Sequence, residues 1–140
     1  MIPASLTPTE LANALLDGCE HHRLDWGKEA AVHLLIAEGS WLRRTPFHRQ
    51  VQTGYDSSSR LIAWVDWAAL AAVPERSPAS SGELALLRLA CHLAGAVPDT
   101  CDNRWCLAEL LRPLDAANAL RASRAVALAA LGPSTVGPLE

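Results

Sequence analysis

The chain has 140 residues, half of them hydrophobic and 19% charged, with a formal net charge of −3. It is too apolar for a disordered chain, lacks a run of about 18 apolar residues that would span a bilayer, and is too acidic to coat nucleic acid over its whole surface. Alanine and leucine supply 48 residues, which favours packed helices over sheet. The length suits one domain with one core. The opening Met1-Ile2-Pro3-Ala4-Ser5 has no basic stretch leading into an apolar one. The four cysteines, Cys19, Cys91, Cys101 and Cys106, are too sparse for a disulfide framework. Both features point to a cytoplasmic protein.

Helix punctuation follows in chain order. Thr7-Pro8-Thr9-Glu10 is a capping box with proline in the first turn, and it opens a helix carrying Leu11, Leu15, Leu16 and Cys19 on one side, with Gly18 as its weak point. Asp25 caps a helix over 26–38 that Gly39 stops. Thr45-Pro46 restarts a short helix to about Thr53, ended by Gly54. Asp56-Ser57-Ser58-Ser59 is a surface turn, and Leu61 to Val65 is the one extended stretch. Asp66 caps a short helix through Val73, and two prolines make 74–78 a loop.

Ser80-Ser81-Gly82-Glu83 is a second capping box, and the helix from it to Ala94 is apolar on nearly every side, hence central and buried. Asp102 caps a helix to Arg112, which Pro113 breaks. Leu114-Asp115 starts the last helix, which spans 116–131, is half alanine and is stopped by Gly132-Pro133. The expected fold is all-α: a single compact, bundle-like domain of six or seven helices over 1–131, with at most one short extended segment near 61–65. Residues 132–140 form a flexible tail.

The net charge hides a split. Residues 1–40 carry net −4, whereas 41–64 carry net +3 from Arg43, Arg44, Arg49 and Arg60 against Asp56. Five of the seven aromatics, Trp41, Phe47, Tyr55, Trp64 and Trp67, fall in the same middle stretch. As a surface, this stretch offers Trp41, Arg43, Arg44, Phe47, His48, Arg49 and Gln52 for binding, since tryptophan and arginine most often dominate interfaces. As a core, its tryptophans form the hinge of the fold with the arginines solvated around them. The order helix, turn, helix at 46–53 and extended segment also matches a winged helix-turn-helix. In that arrangement His48, Arg49, Gln52 and Thr53 would face a DNA groove.

Cys19-x-x-His22 and Cys101-x4-Cys106 supply four candidate zinc ligands, although the two pairs lie far apart in sequence and buried free cysteine is the commoner fate. The histidines offer general bases, with Glu29 one turn before His33, but no nucleophile elbow, phosphate-cradling loop or H-E-x-x-H motif accompanies them. A small enzyme is therefore the least supported class, and no cofactor is expected.

Gly39-Ser40-Trp41-Leu42-Arg43-Arg44-Thr45-Pro46-Phe47, then Trp64-Val65-Asp66-Trp67, the serine-capped helix from Ser80 and Leu114-Asp115-Ala116-Ala117-Asn118 occur in that order. Together they resemble a set of short, functionally uncharacterised helical proteins of high-GC actinobacterial genomes. The resemblance spans about residues 26–132. It implies a bacterial cytoplasmic protein of this length and carries no activity, ligand or catalytic residue. Members in mobile or prophage-like elements favour binding or regulation over metabolism. The expected function is thus a non-enzymatic module that contacts a protein through 41–67, with a DNA-binding regulator as the alternative and no role at a membrane. A homodimer packed through Leu120, Ala127, Leu128 and Leu131 of the last helix is a further expectation.

Overall fold

A computed structural model describes residues 3–98 and 103–132. Seven α-helices and one β-hairpin are present among them. The helices are α1 (Pro8–His22), α2 (Trp26–Glu38), α3 (Thr45–His48), α4 (Trp67–Leu70), α5 (Ser81–Leu93), α6 (Leu107–Leu111) and α7 (Ala116–Leu131); the strands are β1 (Val51–Tyr55) and β2 (Leu61–Val65). The fold is largely helical but not all-α.

The caps act as the sequence implies. Thr7 and Ser80 each accept from the backbone amide three residues on, while Glu10 and Glu83 reach back to close the two boxes. Asp25, Asp66 and Asp115 cap α2, α4 and α7. Each satisfies an amide that the first helical turn leaves without a partner.

The main departure lies at 46–53. The helix there is a single turn, and Val51 begins a strand that pairs antiparallel with β2 in the register Val51↔Val65 to Tyr55↔Leu61. Gly54 stands opposite Ile62 within the strand and stops no helix. Val51, Thr53 and Tyr55 are good strand formers, and the tertiary pairing overrides the helical start at Thr45-Pro46. The helix expected through Val73 ends at Leu70 and is followed by a 3₁₀ turn over Val73–Glu75. Asp102, expected as a cap, lies outside the described residues. The helix expected to Arg112 is divided into a 3₁₀ turn at Asn103–Trp105 and α6. Of the expected tail, Gly132 caps α7 and 133–140 lie outside the described residues.

One apolar cluster joins the elements, with Leu11, Leu15, Leu34, Trp41, Phe47, Leu70 and Leu86 among its members. α2 is its hub, packed on α7 and α5, while α1 lies along β2. That second contact depends on Gly18, because a β-carbon there would overlap the backbone carbonyl of Ala63. Gly18 is thus the place where helix and strand backbones touch, and only glycine leaves the room.

Candidate binding site

The segment after α2 is locked inward. Gly39 ends the helix at φ 85° and Trp41 is fully buried, its Nε1 donating to the Glu83 carbonyl at 3.0 Å. The Arg44 guanidinium lies 4.8 Å from the Trp41 ring centre and pairs with the Glu83 carboxylate. Ser40 Oγ sits 2.9 Å from Glu83 Oε2 and 2.6 Å from Glu38 Oε1, so its single proton is shared between two carboxylates. Hydrogen bonds from Ser80 and Ser40, with Arg44 alongside, hold the Glu83 carboxyl below its ordinary range.

Four of the seven binding candidates are therefore structural. Trp41 and Phe47 are core residues with no exposed surface, which removes them from the proposed interface. Arg44 is committed to Glu83 and Trp41. His48 Nε2 donates to the Leu42 carbonyl at 2.6 Å. Arg43, Arg49 and Gln52 remain exposed. The recognition helix of a winged arrangement is also missing: 46–53 contain one helical turn and a strand, too short to lay a helix in a groove.

Two aromatic residues of this stretch reach the surface, the exposed Tyr55 and Trp64; Trp64 is the one that borders a cavity. Trp64 is half-buried, and its Nε1 donates to Gln52 Oε1 at 2.8 Å across the strand pair. Its ring packs against Gly54 of β1 and meets the His22 ring edge-on at 4.9 Å. Beside it, α1, α2 and β2 enclose a half-open cavity of about 310 Å³. Leu15, Cys19, Val32, Trp64, Val65 and Trp67 supply apolar walls, and His22 and Lys28 supply the polar edge. Lys28, the single lysine, donates its Nζ to Asp25 Oδ2 at 3.2 Å. Such a site offers a water-shedding slot with little polar selectivity.

The described zinc candidates, Cys19, His22 and Cys106, do not assemble into a site. Cys19 is buried in that cavity wall, where burial pushes its thiol up to about 12, the wrong direction for a thiolate ligand. Cys106 is exposed at the start of α6, and Cys101 lies outside the described residues. Among the described residues no three His, Cys, Asp or Glu side chains group around a common point. His33 is 4.0 Å from Glu29, and burial holds it below its ordinary value despite that neighbour. On α7, Leu120 and Leu131 face solvent whereas Leu128 is core, so Leu128 leaves the proposed dimer face.

Sequence reasoning named Trp64 and Trp67 but not the wall that α1 and α2 build around them. The signal was present in the apolar stripe Leu15–Cys19, which continues past the turn to Val32. No helix among the described residues is long and apolar enough to cross a membrane. No family model matches the chain, and neither does any curated protein or solved structure.

Proposed function

We propose that the chain is a non-enzymatic binding module that contacts a protein partner, and that the cavity beside Trp64 receives an apolar side chain of that partner. The observation that carries this is the cavity itself. It is almost wholly apolar, and its volume of about 310 Å³ is at the bottom of the range that small-molecule ligands occupy, roughly 300–1,000 Å³. A slot of that size suits an anchoring side chain better than a cofactor. Trp64 is suited to the role, being neither sealed in the core nor loose: Gln52 and His22 fix its ring at the cavity wall. A rigid, partly desolvated tryptophan is the side chain most often found at the centre of an interface. Arg43 and Tyr55, both exposed on the same central segment, add surface of the type enriched in interfaces.

The test uses side-chain stand-ins. N-acetyl-leucine amide and N-acetyl-tryptophan amide are titrated into the full chain while the Trp64 indole N–H and the amides of residues 63–65 are followed by NMR. Saturable shifts confined to those positions, lost in Trp64→Ala, are expected. Shifts spread over the surface, or none up to millimolar concentrations, would refute the assignment.

A further inference from the structure

Arg49 and Arg76 arrive from different turns, one closing α3 and the other following the 3₁₀ turn at Val73–Glu75, and line one half-open cavity of about 290 Å³. Pro46, Gln50, Val73 and Ser77 complete the lining, and it contains no carboxylate. Both arginines are exposed. Elsewhere Arg44, Arg60, Arg88, Arg104 and Arg112 each face an acid within 4.0 Å. Among the described residues Arg49 and Arg76, like Arg23 and Arg43, have no such partner, and Arg49 and Arg76 share one cavity lining. The nearby acids are committed: Glu75 turns to Arg88 and Arg104, and Asp66 Oδ1 accepts the Ala69 amide at 3.1 Å. In the same cavity wall the Ser77 hydroxyl oxygen is buried and makes no hydrogen bond.

The site thus gathers two guanidinium forks, a carboxamide and a buried hydroxyl without an acceptor among them that carries charge. Water serves the two exposed guanidiniums, whereas the buried Ser77 hydroxyl is costly to leave unmatched unless something accepts from it. Guanidinium forks match the oxygen spacing of phosphate and carboxylate alike. A carboxylate presents its acceptor sites in one plane on two oxygens, which the two arginines and the Ser77 hydroxyl would have to share. A tetrahedral oxyanion has an oxygen for each of the three. We propose that this cavity binds a phosphate monoester, held by Arg49 and Arg76, with the Ser77 side chain turning about its Cα–Cβ bond so that Oγ donates to a third phosphoryl oxygen. The remaining volume accommodates the first atoms of the esterified group. This site is separate from the Trp64 cavity and does not depend on it.

Inorganic phosphate titrated into the full chain at constant ionic strength, followed through the arginine side-chain Nε–H resonances, tests the proposal. Saturating shifts at Arg49 and Arg76 are expected. Arg49→Gln or Arg76→Gln should weaken binding about tenfold or more, because each removes a charge-assisted contact. Ser77→Ala should weaken it less, and Trp64→Ala should leave it unchanged. Both arginines are exposed, so the variants are expected to keep the wild-type circular dichroism spectrum. O-phosphoserine and a phosphoserine peptide distinguish the source: equal affinity assigns a small phosphorylated molecule, and tighter peptide binding assigns a modified protein. Three results would overturn the proposal. They are shifts that Arg49→Gln leaves unchanged, acetate binding as tightly as phosphate, or displacement of phosphate by a short DNA duplex that binds more strongly.

Discussion

Arg44 and Glu83 are separated by 39 positions, yet their charged groups pair directly over the Trp41 ring, and the Glu83 carbonyl accepts the Trp41 indole proton. One residue thereby caps α5, neutralises an arginine and orients the largest fully buried side chain. Glu83→Ala removes the reciprocal cap together with a charge-assisted contact, and a loss of about 2 kcal/mol of unfolding free energy is expected. Arg44→Ala should cost less, about 1 kcal/mol, since both side chains keep roughly a quarter of their surface in water. Urea unfolding of the two single variants and the double variant checks this; strictly additive losses would show that the pair is not coupled.

The same contacts set a pH dependence. Glu83 and Asp25 titrate below their ordinary values, Glu83 chiefly through the Ser80 hydrogen bond and Asp25 through the Lys28 amide. A carboxylate depressed in the folded state stabilises fully above its unfolded value, 4.5 for Glu and 3.8 for Asp, and that contribution is lost as pH falls through the lower folded value. His33 acts in the same direction from higher pH. Burial keeps it neutral, so stability begins to fall once pH drops below its unfolded value of 6.5. Melting temperature should therefore decline in two stages, near 6.5 and below 4.5. His33→Gln is expected to abolish the upper stage alone; persistence of that stage would assign it elsewhere.

At Gly18 two opposing effects can be compared. Alanine normally stabilises a helix interior by about 1 kcal/mol over glycine. Here its β-carbon would overlap the Ala63 carbonyl, and backbone must move to admit it. Overpacking of this kind costs typically about 1–3 kcal/mol, so net destabilisation is expected for Gly18→Ala. A raised melting temperature would show that α1 does not lie directly on β2.

The thiols should separate sharply by reactivity. Cys19 and Cys91 are buried with thiols pushed up to about 12, whereas Cys106 is exposed. Alkylation followed by peptide mapping at pH 8 should modify Cys106 rapidly and reach Cys19 and Cys91 only on unfolding. Fast labelling of Cys19 in the native chain would mean that the Trp64 cavity opens far more widely than its walls suggest.

Much of this fold is legible in the sequence because its helices carry their own punctuation. Thr7, Asp25, Ser80 and Asp115 announce α1, α2, α5 and α7, and local hydrogen bonds suffice to place them. The hairpin is harder to read, and the reason is Ser59. Its loop has the Asp56 carbonyl accepting from the Ser59 amide, with Ser59 at φ 61°, a position where glycine is the usual marker. The turn at 56–59 is legible as a surface turn, but serine in place of glycine hides that it closes a hairpin, and Thr45-Pro46 suggests a helix that tertiary pairing cuts short. The candidate sites are less legible still. Trp41 and Trp64 look alike in sequence, but Glu83 draws one into the core while Gln52 and Gly54 hold the other at the surface. Arg49 and Arg76 belong to one cavity only because the chain between them folds back.

The central claim, a protein partner anchored beside Trp64, is tested most directly by quantitative affinity capture with the tagged full chain in the cells that naturally make it. Wild type, Trp64→Ala and Lys28→Glu are compared by mass spectrometry, the last changing the cavity's polar edge without touching the core. A discrete protein recovered at near-stoichiometric yield with wild type, and depleted about tenfold or more with both variants, is the predicted result. Equal recovery of the same proteins with all three chains, or capture that disappears on nuclease treatment, would contradict it.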